Sequence, residues 1–365
     1  MRTRTSCTAL AVAAALLVAA CSDSSDETEP ADTTVATTTA SSAPASTTPS
    51  SGSTDGTTDP ASAFPVTVPH AFGETTIDAE PARVVTWGWG SADASIALGV
   101  VPVAIPFQAY GGDENGVLPW IQEALDEQGA TVPEVLPDTD EVPFEAIAAA
   151  DPDLIIAAYS GITQSDYDLL TQIAPTVAYP GEAWATPWKD LIEIVGTSLG
   201  KSDQAAALLG DIDAEIAAQA AANPQLAGKT VAAVWDAAGT FYVYKPADPR
   251  VEFMLDLGMV NAPSVDELST DESTFYFTLG YERLGELTSD VLVSYADTPE
   301  LSQAFLDSDQ GKLMSQVTEG RVAAVTGQSF IASVSPPTAL SLTWGLDEYV
   351  ALLTAAADAV DAAAG

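Results

Sequence analysis

One histidine, two cysteines and 11 basic side chains stand against 52 acids in this 365-residue chain, and each scarcity excludes something. A zinc centre needs about four Cys, His or carboxylate ligands, and clusters of imidazoles or thiolates cannot be assembled here. Only oxygen-ligand sites for hard cations survive, so no metal ligand is assigned. A formal net charge of −41 excludes nucleic acid as a partner, because neutralising phosphates requires clustered Lys and Arg. Nucleophile motifs are missing too. There is no Gly-x-Ser-x-Gly elbow, no paired histidine and nucleophile and no phosphate-cradling loop. Ser160, after the apolar run Leu154 to Ala158, has no histidine to activate it. Glycoside hydrolysis needs only two carboxylates, so a secreted glycosidase stays open by residue counting. What the chain does have is apolar material, 47 % of it, and a length that suggests two domains.

The N-terminus reads as an export signal. Arg2 and Arg4 precede an unbroken apolar run, Ala9 to Ala20, too short for the ~20 residues that cross a bilayer. The run closes as Leu17-Val18-Ala19-Ala20-Cys21, which resembles the bacterial lipobox, with an ordinary signal cut after Ala20 as the alternative. Residues 1–20 are thus the signal peptide, and Cys21 is the expected lipid attachment point, since cleavage removes Cys7 and leaves Cys21 no partner. Residues 21–63 are Ser, Thr, Ala, Asp, Glu and Pro with almost no large apolar side chain, the composition of a disordered tether. A flexible chain of that length spans roughly 35 Å. The expected location is extracytoplasmic, lipid-anchored to the outer face of the cell membrane.

From Phe64 onward short β-branched runs alternate with helical patterns. Arg83 to Trp87, Val101 to Ile105, Leu154 to Ala158 and Thr176 to Tyr179 read as strands. Ser91 to Leu98, Phe144 to Ala150 and Asp166 to Ile173 read as helices, a parallel α/β rhythm. Residues 187–222 carry helical periodicity, although Gly196 and Gly200 argue against one uninterrupted helix. The rhythm then resumes with Thr230 to Trp235, Thr240 to Tyr244, a helix from Arg250 to Leu257, Val291 to Ser294 and Val322 to Thr326. This gives an N-terminal lobe over 64–186, a connecting helix over 187–222 and a C-terminal lobe over 223–365. An internal repeat runs parallel to this division. Phe144-Glu145 opens a helix feeding the strand that ends at Tyr159, and Tyr281-Glu282 opens one feeding the strand that ends at Tyr295. Either the likeness is chance in an Ala-rich chain or it marks two pseudo-equivalent lobes.

Five segments in order carry a family resemblance: Pro81-Ala82-Arg83-Val84-Val85-Thr86, Ala97-Leu98-Gly99-Val100-Val101-Pro102-Val103, Phe144-Glu145-Ala146-Ile147 with Asp151-Pro152-Asp153-Leu154-Ile155, Ile173-Ala174-Pro175-Thr176-Val177, and Leu255-Asp256-Leu257-Gly258. Over Phe64 to the C-terminus the chain resembles the substrate-binding lipoproteins of ABC importers for ferric siderophores, closest in texture to the actinobacterial type. The resemblance implies an α/β fold of two Rossmann-like lobes joined by one long helix, the class III periplasmic-binding-protein fold. It implies ligand capture in iron transport rather than catalysis, no covalent cofactor, and Fe³⁺ wrapped by its own siderophore. It also implies docking on an ABC permease dimer through one Glu per lobe, here Glu145 and Glu282, which the repeat picks out as well. A monomer is expected.

A ferric siderophore asks for aromatic walls, hydrogen-bond donors and a cation. The candidates are aromatics past strand ends: Trp87 and Trp89 in a Gly-rich loop, Tyr110, Tyr159, Trp235, Tyr295 and Phe330, with Trp184 before the long helix. Tyr242 and Tyr244 share one face of a strand, so that face decides both. Trp188 reads as packing, His70 as a surface residue, and Arg250 as the best cation. With Lys245, Arg250 and Arg283 the only cations near the cleft, a triply anionic catecholate is disfavoured and a neutral or cationic hydroxamate preferred. A corrinoid or haem on the same fold is the alternative cargo, although no His is placed to ligate haem iron. A zinc or manganese carrier would want several imidazoles.

Overall fold

The computed structural model describes residues 63–139, 141–270 and 272–364. The expected signal peptide, Cys21 and nearly all of the expected tether lie outside these residues. The N-terminal lobe opens with an antiparallel hairpin, β1 (Val66–His70) and β2 (Gly73–Ile77). Five strands follow: β3 (Val84–Gly88), β4 (Ala104–Ile105), β5 (Glu134–Val135), β6 (Leu154–Tyr159) and β7 (Thr176–Ala178). They form an all-parallel sheet in the order β5-β4-β3-β6-β7. Within it β6 is apolar up to its last residue, and Leu154 to Ala158 are all inaccessible, as a sheet covered on both faces requires. The covering helices are α1 (Ser91–Ala97), α2 (Pro119–Gln128), α3 (Phe144–Ala149) and α4 (Gln164–Leu170). Thr163 and Asp166 close a capping box at the start of α4.

The connecting segment is two helices rather than one. α5 (Trp188–Ser198) stops at a left-handed Gly200, φ 67°, and α6 (Ser202–Ala222) packs back against it. The apolar faces of this pair belong to one buried cluster that continues into both sheets: Ile192, Val195, Ile212 and Ile216 share it with Ile156 of β6 and, beyond, with Val231 and Val293. The lobes are therefore joined by core and not by a bare linker.

The second sheet contains β8 (Thr230–Ala237), β9 (Thr240–Tyr244), β10 (Val260–Asn261), β11 (Tyr276–Thr278), β12 (Val291–Ala296) and β13 (Val322–Thr326). Its order is β11-β9-β8-β12-β13, with β10 added beside the start of β8. It is mixed, where the alternation suggested parallel strands: β9 runs antiparallel to β8 and β11 antiparallel to β9. The reason is local. Only Ala238 and Gly239 join β8 to β9, both at positive φ, and a two-residue turn makes a hairpin, never a parallel crossover. α7 (Pro249–Asp256) starts on an Asp248 cap, and a C-terminal helix, Ser341–Ala364, covers β12 and β13. The helix expected to open at Tyr281-Glu282 is a 3₁₀ turn, Tyr281–Glu286. No helix among the described residues is long and apolar enough to cross a membrane.

His70 differs from its expected place on the surface. It is 7 % exposed, enclosed by Phe72 and Tyr167, with Nε2 at 3.0 Å from the Thr75 hydroxyl and Nδ1 accepting the Phe72 N–H. The hairpin folds this edge segment onto β7, which the local sequence does not announce.

Candidate functional site

Sheet order reverses beside β3 and β6 in one lobe and beside β8 and β12 in the other. Open α/β sheets bind ligands at such points, off the carboxyl ends of the strands. A cavity of about 510 Å³ lies there, within the range of small-molecule sites. The N-terminal lobe gives it Tyr159, the last residue of β6, and the segment Trp184 to Pro187. The C-terminal lobe gives Trp235 from β8, Tyr242 and Tyr244 from β9, Phe275 and Tyr276, and the entry to α7 with Asp248 and Arg250. Pro336, from the segment before the C-terminal helix, completes the wall.

The rings are placed by strand geometry. Tyr242 and Tyr244 are two apart, so they project from one face of β9, and antiparallel register sets Tyr276 opposite Tyr244. Tyr276 meets the Tyr242 ring edge-on at 5.5 Å. Across the cavity Trp184 meets Tyr159 edge-on at 5.8 Å. Trp184 adopts a left-handed φ of 59° and remains 54 % exposed, with its N–H donated to the Ser160 carbonyl. Its indole lies so close over Gly161 that a Cβ there would fall 2.2 Å from Nε1.

Arg250 is the cation of the cavity wall. Its guanidinium lies 4.0 Å from the Tyr244 ring centre, and its Nε is 3.3 Å from an Asp248 carboxylate oxygen. Nε and one Nη are buried without a hydrogen bond, with Nε held by Asp248 as an ion-pair partner only. Burial opposes the Arg250 charge, but Asp248 and the phenols of Tyr244 and Tyr295 outweigh it and raise the pKa. Burial likewise raises Asp248, against the pull of Arg250. It pushes the Tyr244 phenol up to about 12 and raises Tyr159, so both stay protonated donors at neutral pH.

Of the residues singled out in the sequence, Tyr159, Trp184, Trp235, Tyr242, Tyr244 and Arg250 come together here. Five do not. Trp87 packs against the N-terminal core. Trp89 donates its indole N–H to the Pro336 carbonyl and meets Trp120 edge-on, so it supports the wall from behind. Tyr110 donates to Asp297 of the other lobe at 2.9 Å beside Trp235. Tyr295, 1 % exposed, lies beneath Trp235 and Tyr244, bonded to the Tyr349 hydroxyl. Phe330, 8 % exposed, packs against Tyr349 in the core. Strand-end position selected both rings, but the C-terminal helix covers them, a contact far off in sequence. Trp188 is buried at the start of α5. Phe275, Tyr276, Asp248, Glu252 and Pro336 were not anticipated. The alternation in Phe275-Tyr276-Phe277 was a signal for the first two.

The other expected cations are engaged elsewhere. The Lys245 ammonium donates to the Thr270 and Ser273 carbonyls, and Arg283 pairs with Glu286. Glu145, at the start of α3, and Glu282, in the 3₁₀ turn, are both exposed. Among the described residues no group of three or more His, Cys, Asp or Glu is arranged to hold a metal ion.

The chain has relatives among known proteins and solved structures. "Probable siderophore-binding lipoprotein YfiY" of Bacillus subtilis is 30 % identical over 249 residues, which is 67 % of this chain and 72 % of that protein. The crystal structure of PiaA from Streptococcus pneumoniae in complex with ferrichrome superposes with a TM-score of 0.71 at 34 % identity, covering 80 % of this chain and 99 % of that one. A periplasmic solute-binding protein from Mycobacterium smegmatis superposes with a TM-score of 0.69 at 29 % identity, over 80 % and 98 % of the two chains. Residues 84–328, which run from β3 into the C-terminal lobe and include all of the cavity wall but Pro336, match the family described as periplasmic binding protein, and the chain belongs to that family.

Proposed function

We propose that the protein captures a ferric siderophore outside the cytoplasm, hydroxamate type favoured, and delivers it to an ABC import permease. The observation that carries this is the cavity itself: an aromatic wall with protonated phenols and one guanidinium stacked on Tyr244, and among the described residues no group of three or more His, Cys, Asp or Glu arranged for bare iron. Such a site holds an iron whose coordination sphere is already filled, contributing ring faces to the chelator's apolar parts and N–H donors to its oxygens. The relatives named siderophore-binding and solved with ferrichrome support the same cargo. The protein works as a solute-binding protein, not as an enzyme. Cys21 carries the lipid anchor that holds it at the outer face of the membrane. Glu145 and Glu282 present one carboxylate per lobe to the permease dimer, and the loaded protein is a monomer.

The test is quenching of intrinsic tryptophan fluorescence by ferrichrome, ferrioxamine B, ferric citrate, a ferric catecholate and cobalamin. Hydroxamate complexes should quench saturably, and Arg250→Met should weaken them at least tenfold. Saturable quenching by cobalamin alone would replace the cargo with a corrinoid on the same fold.

A further inference from the structure

We propose that this cleft selects its cargo by charge, with Glu252 as the specificity-determining residue: a ferric complex bearing a protonated amine is taken ahead of a neutral one, and an anionic one is rejected. The inference rests on the ferric-siderophore reading and adds to it what the lining charges dictate.

Three charged side chains line the cavity, Asp248, Arg250 and Glu252. Two of them offset each other. Arg250 and Asp248 lie 3.3 Å apart with side chains 18 % and 5 % exposed, and the guanidinium is also stacked on Tyr244. The pair offers a cargo hydrogen-bond donors but no net charge. Glu252 remains, exposed in the first turn of α7 at the cavity wall, and no ion pair among the described residues engages it. Lys189, whose charge acts on Glu252, is committed to Asp213 at 2.7 Å. Burial, then the carboxylates of Asp256 and Asp248, raise the Glu252 pKa, with Lys189 opposing. An ammonium entering that field relieves the repulsion, and a carboxylate adds to it. The rest of the wall works in the same direction. Seven aromatic side chains line it, and ring faces carry the negative end of the quadrupole, which attracts cations. Beyond the Asp248–Arg250 pair no charged side chain but Glu252 lines the cavity, which is why one carboxylate decides the sign.

One chelator separates charge from shape. Ferrioxamine B carries a terminal amine outside its iron coordination sphere. N-acetylation makes that end neutral and N-succinylation makes it anionic, with the ferric trihydroxamate core unchanged. Dissociation constants for the three ferric complexes, measured at low and high salt on the full chain, should rise in the order amine, acetyl, succinyl, by at least tenfold overall at low salt. High salt should compress the series. Glu252→Gln should bring the amine-to-acetyl ratio within twofold of unity, whereas Glu215→Gln, on the exposed side of α6, should leave that ratio as it is in the parent protein. Equal affinities, a tighter succinyl complex, or a ratio unmoved by Glu252→Gln would overturn charge selection while leaving siderophore capture standing. Failure of all three complexes to bind would overturn the hydroxamate reading itself.

Discussion

Replacing Asp93 tests how the two lobes are held at a fixed spacing. Asp93 stands in the first turn of α1, 1 % exposed, and one of its carboxylate oxygens accepts from two donors, the Trp120 indole N–H of its own lobe and the Thr338 hydroxyl of the C-terminal segment. Thr338 and Ser341 then cap each other's backbone N–H groups at the start of the C-terminal helix, at 3.1 and 2.8 Å. Asp93→Ala orphans both donors. A buried donor without a partner costs about 1–3 kcal/mol, and relief of the buried carboxylate offsets part of the sum, so about 3 kcal/mol of net loss is expected. At roughly 2 °C per kcal/mol for a domain of this size, Tm should fall by about 6 °C. Asp93→Asn keeps the carbonyl acceptor and should stay within about 2 °C. Burial raises the Asp93 pKa, so its protonated form is favoured by folding. That contribution is fully present below the unfolded value of 3.8 and is lost as pH rises through the higher folded value. Asn, which does not titrate, should therefore gain on the parent protein as pH rises from 4 to 7. Differential scanning calorimetry of the parent and both variants over that range reads all of this. Equal Tm for the Ala and Asn variants, or an Asn–parent difference flat with pH, would refute the reasoning.

Gly161→Ala would place a Cβ 2.2 Å from the Trp184 Nε1 and push the indole off its platform. Ligand affinity should fall about tenfold, with a red-shifted emission marking a more exposed indole and Tm within about 2 °C of the parent. The single histidine gives a second pH effect. Burial lowers the His70 pKa below its ordinary 6.5, so the neutral ring stabilises the fold above that value and the contribution is lost as pH falls through the lower folded one. Urea midpoints at pH 7.5 and 5.5 should converge between the parent and His70→Asn at the lower pH. Charge reversal at Glu145 or Glu282 should abolish iron uptake by intact cells while the ferric-siderophore dissociation constant stays within twofold. Weakened binding would place those carboxylates in ligand capture instead of docking.

The parallel strands at the centre of both sheets were legible because their signals are short-ranged, whereas the antiparallel edge of the second sheet was not. Runs such as Leu154 to Ala158 and Val291 to Val293 can only be buried strands, and Gly200 marks the break between α5 and α6 where a left-handed residue is required. Tyr242 and Tyr244 were legible for the same reason, since alternation binds their fates together. Trp87 and Trp89 misled through their glycines. Flanking glycines suggested an open loop, but Gly88 is there for close approach: a Cβ on it would sit 2.2 Å from the Tyr159 carbonyl, and the indoles on either side are packed rather than displayed. Tyr295 and Phe330 misled through distance. What covers them is Tyr349 of the C-terminal helix, and the anchor of that helix, Thr338, meets Asp93 across 245 residues of sequence. Periodicity carries no information at that range. The consequence is mechanical. The same helix fixes the lobe spacing at its start through Asp93 and supports the cavity floor eight residues on, where the Tyr349 hydroxyl meets that of Tyr295 at 2.9 Å beneath Trp235 and Tyr244. Substitutions along its buried face should therefore change ligand affinity without touching ligand, and the size of the change should follow the distance from Tyr349 and not the distance from the cleft mouth.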